Sequence, residues 1–301
     1  MIRSTRYAVT AAIMISQINA ATPAFAAKEP ERLSPSSKVY LDYGEDKCRM
    51  AREFGTDKNK VTLMMDRFGP DDESNIILSG PRFKKYSVDG MMSVRFMPYD
   101  ADPKVAYFAG FLGKGNPAMI VRGTTRISPY SKEEIKQIEA AQKNKDKSAA
   151  SQVPPIMPIT PAQEAAVTGV AIKIPGSAEM ILETGSLGKA FVEMRKCTDN
   201  LLTTWGVDPA KYAGQSKAVE PITRPEQWVV SNDYPQAALY KYKRAIINFR
   251  LSVNDTGAAT ACFVQQSADT PEFDGIVCKA LMRRAKFSPA LDAQSKPMAS
   301  F

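Results

Sequence analysis

Histidine, the commonest general base and transition-metal ligand of proteins, is absent from all 301 residues. Its absence removes Ser-His and Cys-His nucleophile pairs and with them most hydrolase chemistry. Three other groups of residues have chemistry to offer. Ser186 and Lys189 stand in a Ser-x-x-Lys spacing, known from penicillin-recognising enzymes. The other motifs of that group are missing, and a helix cap accounts for Ser186. Asp71, Asp72 and Glu73, and separately Asp100 and Asp102, are acid clusters. Both adjoin Gly or Pro in turn contexts, where acids are solvated loop residues. Cys48, Cys197, Cys262 and Cys278 are far apart with no Cys-x-x-Cys pair, so neither a zinc ribbon nor a thioredoxin-like redox motif is read. No phosphate-binding loop, zinc-helix motif or calcium loop is present. The sequence therefore reads as a non-catalytic protein without cofactor or metal.

Lys plus Arg exceed Asp plus Glu by 40 to 32. The excess is spread along the chain and does not mark a nucleic-acid partner. At the start, Arg3 and Arg6 precede an apolar run from Tyr7 to Ile15, followed by polar residues and Ala24-Phe25-Ala26. This is the three-part pattern of a secretory signal peptide, too short to span a bilayer, with cleavage expected after Ala26. The expected location is the periplasm. An oxidising compartment turns an even cysteine count into structural disulfides. Four cysteines allow three connectivities; the favoured one joins Cys48 to Cys197 and Cys262 to Cys278, because the second pair lies inside one compact unit.

The positioning elements read as α+β. Residues 27–38 are polar and read as a flexible leader. A β-rich N-terminal domain is expected over 39–207, from short apolar runs separated by turn formers: Val61 to Phe68, Ile76 to Leu78 and Met91 to Met97. Within it, 132–161 reads as an insertion, a charged helix over Lys132 to Lys147 and then a loop with Pro154, Pro155, Pro158 and Pro161. A strand is expected around Ile172 to Leu182. A packed helix follows, with Leu187, Phe191, Met194, Cys197, Leu201 and Trp205 on one face, Ser186 at its start and Gly206 at its end. Residues 208–227 read as a linker. The C-terminal domain, 228–301, alternates apolar and polar residues from Arg244 to Val253, turns at Asn254 to Gly257 and returns over Ala258 to Gln265 as a hairpin. A helix then carries Phe273, Val277, Leu281 and Ala285 on one face.

Tyr234-Pro235-Gln236-Ala237-Ala238, the strand ending Val253-Asn254-Asp255-Thr256-Gly257, Phe273-Asp274 and the run Arg283 to Ala290 occur in the order and spacing of the TonB C-terminal domain, which residues 232–298 resemble. The resemblance implies a small α/β domain whose hairpin and final strand are backed by a helix. Proteins of that family grasp an extended segment of a TonB-dependent outer-membrane transporter by strand addition and pass on energy from an inner-membrane proton-driven complex. The sequence departs from the pattern where Arg244 and Ala245 replace a Gly at the first strand, and where Ser295 and Lys296 precede Pro297. The last strand is also shorter than the family's. The partner-binding residues it implies are Tyr234, Pro235, Arg283, Arg284, Pro297 and Ser300. The basic residues of Arg283 to Lys286 are few for membrane capture, so membrane contact is expected to be peripheral. Two other readings stand beside this one: a membrane-anchored energy transducer if residues 7–23 are retained as an anchor, and, independently of those residues, a structural envelope protein. The mature chain is expected to begin near Ala27. N-terminal sequencing of the periplasmic fraction checks this, and full-length protein found only in membranes overturns it.

Overall fold

Apolar and β-branched residues in runs of three to eight build a sheet that dominates the chain. The structure, a computed structural model, describes residues 29–86, 88–99, 104–113, 115–128, 130–143, 158–243, 245–268 and 272–301. The signal segment, Asp100 and Asp102, Pro154 and Pro155, Arg244 and the end of the charged helix lie outside them. The sheet strands are β1 (Glu31–Leu33), β2 (Tyr40–Tyr43), β3 (Cys48–Phe54), β4 (Val61–Arg67), β5 (Glu73–Ser79), β6 (Gly90–Met97), β7 (Val105–Leu112), β8 (Asn116–Val121), β9 (Thr125–Arg126), β10 (Gly169–Lys173) and β11 (Met180–Leu182). Their order is β1-β11-β10-β6-β7-β8-β5-β4-β3-β2, with β9 also on β5. Every pair is antiparallel except β1 with β11. Beyond β1 the chain bridges from Pro35 to Phe54 on β3, so the sheet curls back toward its far edge.

Helices α1 (Lys132–Lys143) and α2 (Pro161–Ala166) precede β10, and α3 (Gly188–Thr204) follows β11. α3 fills the concave face: Leu187, Phe191, Met194, Cys197 and Leu201 join one cluster with Cys48, Met50, Phe54, Val94, Phe96 and Leu182. Cys48 and Cys197 are disulfide-bonded, stapling α3 to β3. In the chain-entropy account, closing a loop of 149 residues contributes about 5 kcal/mol.

After α3 come α4 (Pro209–Ala213), β12 (Glu220–Pro221) and α5 (Gln236–Tyr240). The hairpin of β13 (Ile246–Val253) and β14 (Ala259–Ala268) leads to α6 (Glu272–Arg284), and the short strands β15 (Phe287–Ser288), β16 (Ala290–Leu291) and β17 (Pro297–Met298) end the chain. The fold is α+β with a large β-rich sheet. A second disulfide joins Cys262 to Cys278. Both bonds follow the pairing expected from sequence.

Several expectations are corrected. The leader is not loose throughout: Glu31 to Leu33 form β1, because Leu33 enters the core and Arg82 makes a paired contact with Glu31. The single strand over 172–182 is two strands, β10 and β11, split by a turn at Pro175 and Gly176, whose φ is +79°. The Pro-rich segment ends in a helix start: Thr160 and Gln163 form a reciprocal cap on α2, with Pro161 at its first turn. Leu187, not Ser186, is the N-cap of α3, although the Ser186 hydroxyl accepts a 3.4 Å bond from the Gly188 N–H. Gly206 does end the helix, at φ +78°. Residues 208–227 are folded: Asp208 caps α4, β12 pairs with β15, and Ser216 and Lys217 donate to Leu291. These segments belong with the C-terminal elements.

Buried charge marks the seam of sheet and helices. Arg67, 1% exposed, lies over the Phe191 ring and donates to Ser74 and to the Asp72 carbonyl. The Glu164 side chain on α2 is fully buried and pairs with Arg195 on α3. A buried ion loses more when one partner goes than when both are replaced by apolar groups. Arg195→Met is therefore expected to destabilise the chain by about 3 kcal/mol, and the double change with Glu164→Met by clearly less. Chemical denaturation of the wild type and these two variants checks the order.

Candidate functional site: the free edge of the C-terminal hairpin

The turn between β13 and β14 is fixed by its own side chains. The Asn254 carboxamide oxygen accepts from the N–H groups of Thr256 and Ala258 at 3.1 and 2.9 Å. Gly257 has φ +81°, and a Cβ there would stand 2.0 Å from the Phe287 carbonyl oxygen, so only glycine fits. Two register shifts place Gln265 and Thr260 as extra residues on β14. The alternation expected from Arg244 to Val253 holds at Leu251 and Val253, which are buried, and fails at Phe249 and Arg250. Phe249 is 36% exposed while Arg250 is 8% exposed, because Arg250 turns toward α3.

One hairpin face is covered by α6. Trp228, Leu251, Leu281 and Ala285 form its core, with Cys262, Val277 and Phe287 against them. The other side is tied to the large sheet. The Gln265 amide donates to the carbonyls of Asp46 and Phe68, at 2.7 and 3.2 Å. Lys47 bonds both Gln266 and the buried Asp66, which also accepts two bonds from Arg49. Burial holds the Lys47 ammonium below its ordinary pKa, with the Asp66 charge opposing.

The edge of β13 away from β14 carries the chemistry of interest. Val253 and Ser300 exchange both main-chain bonds at 2.8 Å. This pairing turns the Val253 N–H and C=O away from β14, and strand alternation gives Leu251 and Phe249 the same sense. Among the described residues nothing else pairs along that edge. Phe249, Leu251 and Val253 instead line an open cleft of about 280 Å³, walled mainly by Phe68, Gly69, Val219, Trp228, Phe287 and Phe301, with Asp71, Arg250 and Gln265 as its polar members. Phe301 is held at one end, stacked on Tyr212 and edge-on to Trp205. The arrangement offers main-chain donors and acceptors beside apolar walls, which is what an extended peptide needs.

No protein family, curated protein or solved structure matches the chain.

The residues singled out from sequence fall into two places. Tyr234 packs edge-on to Phe273, and its hydroxyl donates to the Lys243 carbonyl. Pro235 is the N-cap of α5. Arg284 donates to Asp233 at 2.6 and 2.9 Å and to the Trp228 carbonyl at 2.7 Å, and Arg283 reaches Asp233 at 3.1 Å. Tyr234, Pro235, Arg283 and Arg284 thus brace the segment before the hairpin onto α6. Pro297, in β17, pairs with Leu291, and Ser300 sits on the β13 edge. Ser186 and Lys189 stay apart in role, the serine serving the Gly188 N–H. The acids of the first cluster are not the solvated loop residues expected: Asp71 accepts from the Glu73 N–H, but Asp72 accepts from the distant Ile159 N–H, and Glu73, which begins β5, from the hydroxyls of Thr124 and Tyr130. Among the described residues no cluster of metal-ligating side chains occurs. Asp233, Gln265 and Arg250 were not singled out from sequence, since each acts through partners far along the chain.

The Arg284 fork, and then the Val230 N–H, hold the Asp233 carboxyl well below the usual carboxylate range. A carboxylate with a lowered folded pKa stabilises above its unfolded value, near 3.9, and loses that contribution as pH falls toward the folded one. The wild type is therefore expected to be more stable than Asp233→Asn at neutral pH, with the gap shrinking below about pH 4. Thermal midpoints of both chains between neutral and acid pH check the convergence.

Proposed function

We propose that the chain is an exported, non-catalytic protein of the cell envelope that captures an extended segment of another envelope protein by adding it as a strand to β13. The observation that carries this reading is the unshared edge at Leu251 and Phe249, beside the apolar cleft and past the single Ser300 pairing. Strand addition draws affinity from main-chain bonds and specificity from pockets for alternate side chains. The cleft walls of Trp228, Phe287 and Phe301 supply such a pocket.

Two further observations support the reading. A hairpin backed by a helix is the arrangement that the resemblance to the TonB C-terminal domain implies, and here a disulfide binds the two together. The two disulfides also suit an oxidising compartment such as the periplasm. On this reading the partner is a TonB-dependent outer-membrane transporter. Tyr234, Pro235, Arg283 and Arg284 hold the hairpin in place for capture, and Pro297 and Ser300 set where the added strand must stop.

An edge position whose N–H points outward tolerates proline within the protein but no longer donates to an added strand. Crosslinking in intact cells, followed by identification of the captured protein, is expected to recover a TonB-dependent transporter with the wild type. Phe249→Ala should reduce capture only about threefold through the lost side-chain contact. Phe249→Pro, with an unchanged circular dichroism spectrum, should reduce it at least about tenfold. Equal capture by the two variants, or recovery of no transporter, overturns the reading.

A further inference from the structure

A second cavity, about 380 Å³, lies between β13 and the end of α3 with α4. Trp205, Lys211, Arg250, Ser252, Thr260 and Ser300 are among its walls. Arg250 is the unusual member. Its guanidinium lies between two aromatic rings, 4.3 Å from the centroid of Trp205 and 4.2 Å from that of Phe263. It is 8% exposed, and burial pulls its pKa below the ordinary value, with the Asp46 charge opposing from a distance. Among the described residues its one hydrogen bond is from Nη1 to the Ser252 hydroxyl at 3.3 Å. Nε is buried without a partner, and among the described residues no carboxylate makes an ion pair with the group.

A buried cation in a protein is ordinarily paired, because the charge has lost its water. The flanking rings offset part of that loss but provide no acceptor for the guanidinium N–H groups. Other features of the cavity point the same way. The Ser300 hydroxyl is buried without a hydrogen-bond partner. Lys211 makes no ion pair among the described residues. The cavity's carboxylate, Asp208, is engaged by the N–H groups of Ala210 and Lys211.

We propose that this cavity is a binding site for a small oxyanion, a carboxylate or phosphate group, held by Arg250 and Lys211. A planar guanidinium clamped between rings presents its N–H groups in a fixed fork, the geometry that oxyanions take best. The site adjoins the strand-capture cleft and shares Arg250, Val253 and Phe301 with it, but it does not depend on whether the β13 edge binds a peptide.

Trp205 reports on the site directly, since the chain has two tryptophans and only Trp205 stacks on Arg250. Phosphate and acetate are titrated separately into the mature chain at constant ionic strength, with chloride as the balancing salt. The readouts are the indole signals in an NMR spectrum, assigned with Trp228→Phe, and the thermal midpoint. At least one anion is expected to shift the Trp205 signal saturably and to raise the midpoint. Saturation by phosphate alone assigns a phosphate ligand, and by acetate alone a carboxylate. Lys211→Ala, on an exposed part of α4, is expected to weaken binding about tenfold, and Arg250→Lys to remove it. If neither anion shifts Trp205 beyond the chloride control, or Lys211→Ala binds as the wild type does, the proposal is overturned.

Discussion

The larger apolar face of the curved sheet needs a filler, and the packing of α3 against that face is the constraint from which the other contacts follow; a smaller cluster of Met64, Ile77, Phe108 and Ile120 lies on the opposite face. Phe191, Met194 and Leu201 reach across to strands from both ends of the sheet order, so the strands must curl for all of them to be buried. Curling brings the continuation of β1 to β3, and the Cys48–Cys197 bond holds filler and wall together. The far end of α3 is anchored at the turn between β2 and β3, where the Trp205 indole N–H donates to the Glu45 carbonyl. Trp205 at its C-cap meets Phe301 and Arg250, which sets where the hairpin stands.

Buried carboxylates and buried guanidiniums are treated differently. The buried carboxylates of the sheet and its helices are ion-paired, Asp66 with Lys47 and Arg49 and Glu164 with Arg195, whereas Arg67 lies over the Phe191 ring with a hydroxyl and a carbonyl as its acceptors. Near the hairpin, Arg250 has rings in place of an acid. The contrast matters because charged groups without pairing are costly to keep inside a protein. A chain that pairs its buried carboxylates elsewhere has the means to pair this guanidinium as well, and the position it occupies borders open space.

The chemistry of local spacing was legible in the sequence. Apolar runs gave β4, β5 and β6, the hairpin turn was marked by Asn254 and Gly257, and the faces of α3 and α6 followed from residues three and four apart. The α3 face put Cys197 on its buried side, and the disulfide pairing came from placing Cys262 and Cys278 inside one compact unit. What escaped depends on distant partners. β1 is three residues whose strand character comes from β11 and from Arg82. β7 and β8 hold glycine and proline that blur their pattern. The inversion of Phe249 and Arg250 reflects Trp205, some 45 positions away, overriding an alternation that taken alone points the other way. Of the site, the hairpin itself was legible, whereas the Ser300 pairing with Val253, the brace on Asp233 and the cleft walls each join residues about 50 or more positions apart or lie on loops without a local pattern.

The pairing of β1 with β11 also sets a timetable. Glu31 meets Met180, so the edge of the large sheet is unmade until nearly all of the sheet's sequence exists, and β6 must likewise wait for β10. Such distant pairings are slow because loop-closure entropy comes before the reward of contact. The hairpin and α6, by contrast, join neighbours in sequence and close within microseconds to milliseconds as a class of structure. During synthesis β2 to β5 and β6 to β8 can pair with their sequence neighbours, while β1 and the outer edge of β6 stay open, and open edges are prone to stray association. The earliest strand waits longest for its neighbour.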